Sequence, residues 1–568
     1  MCSIIIKLFL LFVVLIHVNT NDLENGPEVT VDQGKIKGKF WFSRQGKKFS
    51  AFLSIPYAEP PIGDLRFKAP VPGKAWSGTL DGTRDHVVCP QRNIYTRSEI
   101  IEGDENCLFL NVYTPQISKS NKPNYAVMVF LHGGGWLCGG GNSKWYGPDM
   151  LLDKDVVLVV PNYRLGALGF LSTGDEILPG NNGMKDQSLA LKWIKKNIIQ
   201  FGGDPNKITI FGESAGGASA HFHMLSPLSK GLFHAAISQS GTAHAPWGLA
   251  KPEENVKQAH KLAKSFNCPT TSSQRMLDCL KKIDTFDLIA KDKIFMEWDT
   301  DPMIPFKPVI EPDLDGAFLI EHPSETIKSG RAAQVPWMTG ITTEDGVLRA
   351  AAIFGNQHLM HELDEDFNKI LPVSLFYKGT CSDQNYVSNK LREFYLGSKK
   401  IDNNTRFNVI DLYTDGWFLN GADESVQLHF RHTTEPVYYY LFGHRGVASF
   451  SQLFGDPHQR YGVCHADDLQ YMFPVGDSLF PDQKQDVLDQ RITEIITTLW
   501  TNFAKYRNPT PVVDYMLHSK WEPVQSEKFE YYYIGGGVHL ANGLLWERTK
   551  FWRNLAIRWH TKCVKDEL

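Results

Sequence analysis

Apolar residues fall along this chain in two rhythms. Short runs rich in branched and aromatic residues, Cys107–Tyr113, Ala126–Leu131, Val156–Tyr163, Ala235–Gln239, Val335–Gly340 and Val437–Phe442, read as buried strands. Asn182–Phe201 has helical spacing instead. Leu189, Trp193 and Ile194 share one face, and Lys192, Lys195 and Lys196 lie outside it. Lys251–Phe266, Ser273–Ile283 and Gln490–Tyr506 also read as helices. The start, Val29–Phe52, alternates as short antiparallel strands with turns at Gly34 and Gly46, and Phe52–Phe67 reads as a proline-rich connection. Strands alternating with helices predict an α/β fold with a mostly parallel, doubly wound sheet. The looser middle reads as a helical insertion over the sheet edge, forming a gorge for a ligand.

The chain is organised around Lys207–Gly217. Ile208, Ile210 and Phe211 form a short buried strand, followed by Gly212-Glu213-Ser214-Ala215-Gly216. This is the pattern of a sharp strand-to-helix turn presenting a nucleophilic serine. Small neighbours are needed because the serine backbone is strained. Ser226-Pro227 ends the helix that follows. Upstream, His132-Gly133-Gly134-Gly135-Trp136 follows a strand, where glycines let backbone N–H groups converge on one developing negative charge. A base must take the serine proton. His221 and His223, two apart on a helix, face different ways and read as packed or solvent-facing rather than as a metal pair. His465, in Gly462-Val-Cys-His-Ala-Asp-Asp468, is a candidate by chain order, but among 19 histidines the residues alone do not single it out.

Composition narrows the class. The 568 residues are 42% hydrophobic and 21% charged with net charge −4, and no basic run points to nucleic acid. No linker divides the chain, so residues 21–564 are expected to form one domain. Lys7 followed by the apolar run Leu8–Val18 reads as a signal peptide over residues 1–20, too short to span a bilayer. No later stretch reads as an integral membrane segment. The chain ends Lys565-Asp566-Glu567-Leu568, the address read by the endoplasmic-reticulum retrieval receptor. The two ends agree on the reticulum lumen, with secretion as the alternative. In such a compartment disulfides form. Cys89 and Cys107 bracket a polar stretch and Cys268 and Cys279 a shorter one, like loop staples; Cys138, Cys381, Cys464 and Cys563 remain as thiols. Cys464 beside the candidate base and Cys138 beyond the glycines make sensitivity to thiol reagents an expectation. Asn403-Asn404-Thr405 is a glycosylation sequon, placing a glycan on Asn403.

The chain resembles the type-B carboxylesterases, the cholinesterase-like family of the α/β-hydrolases, and most of all those of insects. Blocks recur in order: Ile55–Ala58, Glu105–Asn111, His132–Trp136, Asn162–Gly166, Gly180–Gln187, Gly212–Gly217 and Gly462–Asp468. The resemblance implies the α/β-hydrolase fold and no metal or cofactor. It implies Ser214 as nucleophile and His465 as base. It gives Gly134, Gly135 and Ala215 as oxyanion donors and pairs Cys89 with Cys107 and Cys268 with Cys279. Arg66–Glu105 and Arg164–Asp186 match internal ion pairs. Trp247 matches a pocket residue, and Trp136 and Glu213 are expected beside the substrate. The family's acid lies immediately before a glycine, which in Gly340-Ile-Thr-Thr-Glu344-Asp345-Gly346 is Asp345. Consecutive extended residues point oppositely, so Glu344 is expected to face solvent or to back the site.

One departure bears on substrate. Cholinesterases carry a tryptophan between the first two paired cysteines, where a quaternary ammonium stacks. Here that stretch holds Tyr95 and no Trp, which argues against choline esters. The implied activity is hydrolysis of small apolar carboxylic esters, xenobiotic or lipid-derived, through an acyl-enzyme. The alternatives are a dedicated esterase such as one for juvenile hormone, or a non-catalytic ester- or organophosphate-binding relative. Juvenile-hormone esterases usually have glutamine before the nucleophile, and Glu213 weakens that alternative.

Overall fold

In the computed structural model the apolar runs become neighbours in one eleven-stranded sheet. The structure describes residues 26–93, 98–118, 125–380, 383–555 and 557. The expected signal peptide, Tyr95, Cys381, Cys563 and the C-terminal tetrapeptide lie outside them. In chain order the strands are β1 (Lys39–Phe42), β2 (Lys48–Pro56), β3 (Phe109–Thr114), β4 (Tyr125–Leu131), β5 (Val157–Pro161), β6 (Gly203–Glu213), β7 (Ala235–Gln239), β8 (Trp337–Thr342), β9 (Val437–Phe442), β10 (Glu530–Ile534) and β11 (Val538–Asn542). Across the sheet they run β1-β2-β3-β5-β4-β6-β7-β8-β9-β10-β11.

From β5 through β10 every pairing is parallel. The two margins, β1-β2-β3-β5 and β10-β11, are antiparallel. The central strands are buried almost throughout, as sheets covered on both faces require. Helices flank the sheet. Asn182–Asn197 (α1) packs on β6, Ala215–Leu225 (α2) on β6 and β7, and Val487–Tyr506 on β4. The mostly parallel α/β sheet read from the sequence is the one observed. Two details differ. The N-terminal strands divide, with Glu28–Val31 and Gly34–Lys37 joining Thr79–Asp81 in a separate small sheet. Phe52–Pro56, expected in a connection, completes β2, where Ile55 and Pro56 pair with Leu110 and Phe109.

Between β8 and β9 the chain inserts helices that include Val347–Phe354, Phe367–Ser374, Arg406–Thr414 and Asn420–His432. The last two are joined by a π-helical turn, Asp415–Leu419. A helical insertion was expected in the middle of the chain; the wide turn was not. It is held from the C-terminal side. Arg548 ion-pairs with buried Asp415, whose carboxylate also takes the Tyr395 hydroxyl. The expected disulfides Cys89–Cys107 and Cys268–Cys279 are formed. Arg164 donates to both Asp186 oxygens at 2.8 and 2.6 Å. Arg66 grips Glu105 and also donates to the carbonyls of Lys281 and Ile283, tying the two stapled regions together. Among the described residues no helix is long and apolar enough to cross a membrane.

Both α2 histidines are buried. His223 pairs through Nδ1 with Ser229 Oγ at 2.7 Å and through Nε2 with Gln187 Oε1 at 2.9 Å. Burial lowers its pKa from 6.5 to about 3. Between these values the unfolded chain binds a proton that the folded chain refuses. The contribution of this residue is therefore complete above pH 6.5 and is lost as pH falls below it. His223→Gln removes that share of the acid sensitivity. The stability gap between wild type and variant, from denaturant unfolding, should shrink by up to about 1.4 kcal/mol per pH unit between pH 6 and 4. A gap that stays constant over that range would contradict the assignment.

Candidate active site

Every element of the site stands at or beyond the carboxyl end of a parallel strand, where open α/β sheets place their ligands. Ser214 follows β6 directly and begins α2. Its backbone is left-handed in φ, at φ 58° and ψ −125°. It is held there by contact on both sides. The Ser214 N–H donates to the Gln239 carbonyl at the end of β7 at 2.8 Å. Behind it, a Cβ on Gly216 would overlap the Leu131 carbonyl at the end of β4. Glycine there is a requirement of close approach. The strained turn places Ser214 in the lining of a cavity that His465 also lines.

His465 lies on the loop after β9, and its ring is fixed from below. Nδ1 donates to Asp345 Oδ1 at 2.8 Å. Asp345, three residues beyond β8, is fully buried. Its Oδ2 accepts from the Thr342 N–H and from Ser240 Oγ, each at 2.9 Å. With the Nδ1 proton committed to a carboxylate, Nε2 is left with a lone pair. Nε2 makes no hydrogen bond. Glu344 points the other way, as alternation requires. Its Oε2 accepts from the Val463 N–H at 2.7 Å and from Thr343 Oγ1 at 2.6 Å, bracing the loop that carries His465.

Charge is concentrated around the imidazole. Glu213 Oε1 lies 3.0 Å from Nε2 without hydrogen-bond geometry. Asp468 accepts from Gln239 Nε2 at 2.7 Å, and its other oxygen is buried without a hydrogen bond. Burial, together with Asp468 and Asp345, raises the Glu213 carboxyl to about 8, and the His465 ring opposes the rise. Burial disfavours a cation on His465. Glu213, the hydrogen bond to Asp345 and Asp468 outweigh it and raise the ring above its ordinary value. The site is thus poised to stabilise an imidazolium as it forms.

The glycines after β4 face the same cavity. Gly134 and Gly135 line it and have φ of 98° and 62°. Among the described residues no backbone carbonyl takes either N–H. Ala215 is the first residue of α2, where N–H groups lack an intrahelical acceptor. The remaining wall is Trp247, Met303, Ile304, Leu348, Phe376, Trp417 and Phe418.

Two expected pocket residues are elsewhere. Trp136 is absent from the cavity lining. Its backbone turns at φ 55°, and the buried ring packs behind Trp247 at 5.8 Å while Nε1 donates to Ser219 Oγ. Glu213 is likewise no part of the wall; its carboxyl lies beside the imidazole instead. Trp247 does line the cavity, anchored by its Nε1 to the Trp417 carbonyl at 2.9 Å. Met303, Ile304, Leu348, Phe376, Trp417 and Phe418 were not singled out from the sequence. Trp417 and Phe418 sit on the π-helical turn, a kind of irregularity common at functional sites, but its sequence carries no mark of it.

The chain is similar to known esterases over most of its length. The model of the carboxylesterase family matches residues 25–552. A juvenile hormone esterase of Tribolium castaneum is 38% identical over 518 residues, covering 89% of this chain and 87% of the relative. Esterase FE4 of Myzus persicae is 38% identical over 514 residues, covering 89% and 88%. A carboxylic ester hydrolase of Bombus ignitus is 36% identical over 528 residues, covering 91% of each. The chain belongs to the carboxylesterase family, whose fold is the α/β-hydrolase. It is an enzyme, a carboxylic-ester hydrolase.

Cys138 and Cys464 are buried and outside any disulfide. Burial, with Asp467 and Asp345 close by, pushes the Cys464 thiol far above its ordinary value. The Cys138 thiol points at the Gly134 carbonyl, 3.7 Å away. The expectation of reagent sensitivity therefore gives way, because reactivity needs an exposed thiolate. A charged thiol reagent should leave both cysteines unlabelled in the folded protein, read by peptide mass mapping, and label both in denaturant. Native labelling of either, with loss of activity, would contradict this.

Proposed function

We propose that Ser214, His465 and Asp345 form a catalytic triad that cleaves small apolar carboxylic esters through an acyl-enzyme. The observation that carries the reading is a serine on a strained turn sharing one cavity with an imidazole whose far nitrogen donates to a buried carboxylate at 2.8 Å. His465 Nε2 takes the Ser214 proton as Oγ attacks the ester carbonyl. The N–H groups of Gly134, Gly135 and Ala215 receive the developing oxyanion. Collapse expels the alcohol, which takes the proton from His465. Water, deprotonated by the same nitrogen, then releases the acid. Asp345 holds the tautomer and stabilises the imidazolium.

The wall sets the substrate class. Apart from Ser214 and His465 it offers no charged side chain, and its tryptophans and aliphatics suit uncharged acyl and alcohol groups. A dedicated hormone esterase is the second reading, favoured by the Tribolium relative. Esterase FE4 stands at the same 38% identity, so identity does not select between them. A kinetic screen over acyl and alcohol chain lengths, with a juvenile hormone included, separates a broad profile from one dominant substrate.

Ser214→Ala should abolish organophosphate labelling and lower hydrolysis by more than about a thousandfold with the fold intact. That result also separates an enzyme from a non-catalytic binder. Asp345→Asn should lower kcat by roughly 10⁴-fold, as wrong-tautomer variants do. Glu344→Gln should cost little, because its carboxylate touches the loop and not the ring. The reverse pattern would transfer the role to Glu344.

The reading of the chain's ends places the protein in the reticulum lumen, with a glycan on Asn403, which is exposed. Deleting Lys565–Leu568 should move the protein to the medium. Quantitative secretion of the full chain would overturn that localisation.

A further inference from the structure

The apolar wall of the cavity comes from segments far apart in sequence, and one buried carboxylate ties three of them together. Asp301 Oδ2 accepts from Arg349 Nε at 2.8 Å and from Ser374 Oγ at 2.7 Å. Two and three residues beyond Asp301 stand Met303 and Ile304. Next to Arg349 is Leu348. Two residues beyond Ser374 is Phe376. All four line the cavity. A fifth wall residue is tied to the same knot. Trp417 Nε1 donates to the Ser374 carbonyl at 2.8 Å. The Tyr413 hydroxyl, 2.8 Å from Ser374 Oγ, completes the set from the same helical segment as Trp417. None of Asp301, Arg349 and Ser374 touches the cavity itself.

The knot is a poor device for stability. Asp301, Arg349 and Ser374 are buried, and Asp301 Oδ1 and both terminal Arg349 nitrogens lack hydrogen bonds. The guanidinium is otherwise held by Asp299, 3.0 Å from Nη1, and by the Trp298 ring, 4.7 Å away. Burying such a pair costs desolvation that its attraction barely offsets, and apolar packing of the same volume would serve at least as well. What directional bonds supply and apolar contacts do not is one fixed arrangement. Met303, Ile304, Leu348 and Phe376 would otherwise slide over one another.

We propose that Asp301 is a positioning residue that sets the width of the apolar wall and with it the chain-length preference of the enzyme. The inference rests on the reading of this cavity as the ester site. Substrate touches the wall; the wall's spacing is set one layer behind it by the knot of Asp301, Arg349 and Ser374.

The test is a series of linear 4-nitrophenyl esters from acetate to decanoate on wild type, Asp301→Asn and Ser374→Ala. Titration of Ser214 with a dialkyl fluorophosphate counts folded, competent sites in each. Ser374→Ala leaves the Asp301–Arg349 pair in place, so it decides the matter if Asp301→Asn does not fold. The expected result is a shifted or flattened profile. The ratio of kcat/KM for the best chain to that for one four carbons longer should change by at least about fivefold, within what a methylene is worth in an apolar pocket. The change should fall mainly in KM. The pH profile of kcat should stay in place, since nothing in the knot touches His465. A ratio within twofold of wild type, an equal loss at every chain length, or a displaced pH profile would each overturn the proposal. A wild-type chain that hydrolyses none of the series would overturn the ester-site reading itself, and the knot with it.

Discussion

The strand-to-helix turn at Ser214 depends on contacts that leave no room for side chains. Two neighbouring strand ends supply the backbone acceptors and walls. The Gln239 carbonyl at the end of β7 takes the Ser214 N–H, and the Leu131 carbonyl at the end of β4 lies where a Gly216 Cβ would be. A serine at φ 58° costs of order 1–3 kcal/mol and persists only where the surroundings over-determine it. The parallel register of β4, β6 and β7 does so by bringing three carboxyl ends level. Much else follows from that alignment. The glycines after β4 reach the serine because β4 lies beside β6. Ser240, just beyond β7, reaches Asp345 because β7 lies beside β8.

The same alignment gathers carboxyl groups that would repel one another if all were ionised. Glu213, Asp345 and Asp468 surround one imidazole in a dry interior. The cluster is tolerable because its members differ in environment. Asp345 has three hydrogen-bond donors: His465 Nδ1, the Thr342 N–H and Ser240 Oγ. Glu213 has no donor for Oε1, and burial raises its carboxyl. Environment distinguishes chemically similar groups, one carboxyl hydrogen-bonded to Nδ1 of the ring and one with a raised pKa beside Nε2.

The fold and the strained serine turn were legible for one reason: each is encoded locally. Strand runs such as Ala126–Leu131 are buried on both faces and read as continuous apolar segments. The elbow and the glycine run carry their geometry in adjacent residues. Alternation along an extended segment put Glu344 and Asp345 on opposite sides, but it was the family resemblance that selected Asp345 and His465. The residue reading failed where geometry is not periodic. Trp136 follows the glycines and looked like a pocket residue, but a left-handed φ turns it beneath Trp247. Tyr-rich β10 and its partner β11 lie late in the chain and were not read as strands. Leu348 and Phe376 are apolar residues among many apolar residues, and nothing local tells a wall of a cavity from the core.

This difference has a physical consequence for how the enzyme divides its tasks. The proposed proton path runs through side chains at or just beyond strand ends, held by strand pairing and by the side chains of Glu344 and Ser240. The wall is carried largely by the insertion between β8 and β9 and by the segment around Asp301, which are joined to each other by side chains. Arg548 anchors the π-helical turn bearing Trp417 and Phe418, and Asp301 anchors the loop bearing Met303 and Ile304. The two sets meet at few places, of which Phe418 against the His465 ring, 4.5 Å between centroids, is one. If the triad and the wall act as proposed, chemistry and selectivity are separable in this fold, because the first is held mainly at strand ends and the second by buried side-chain anchors.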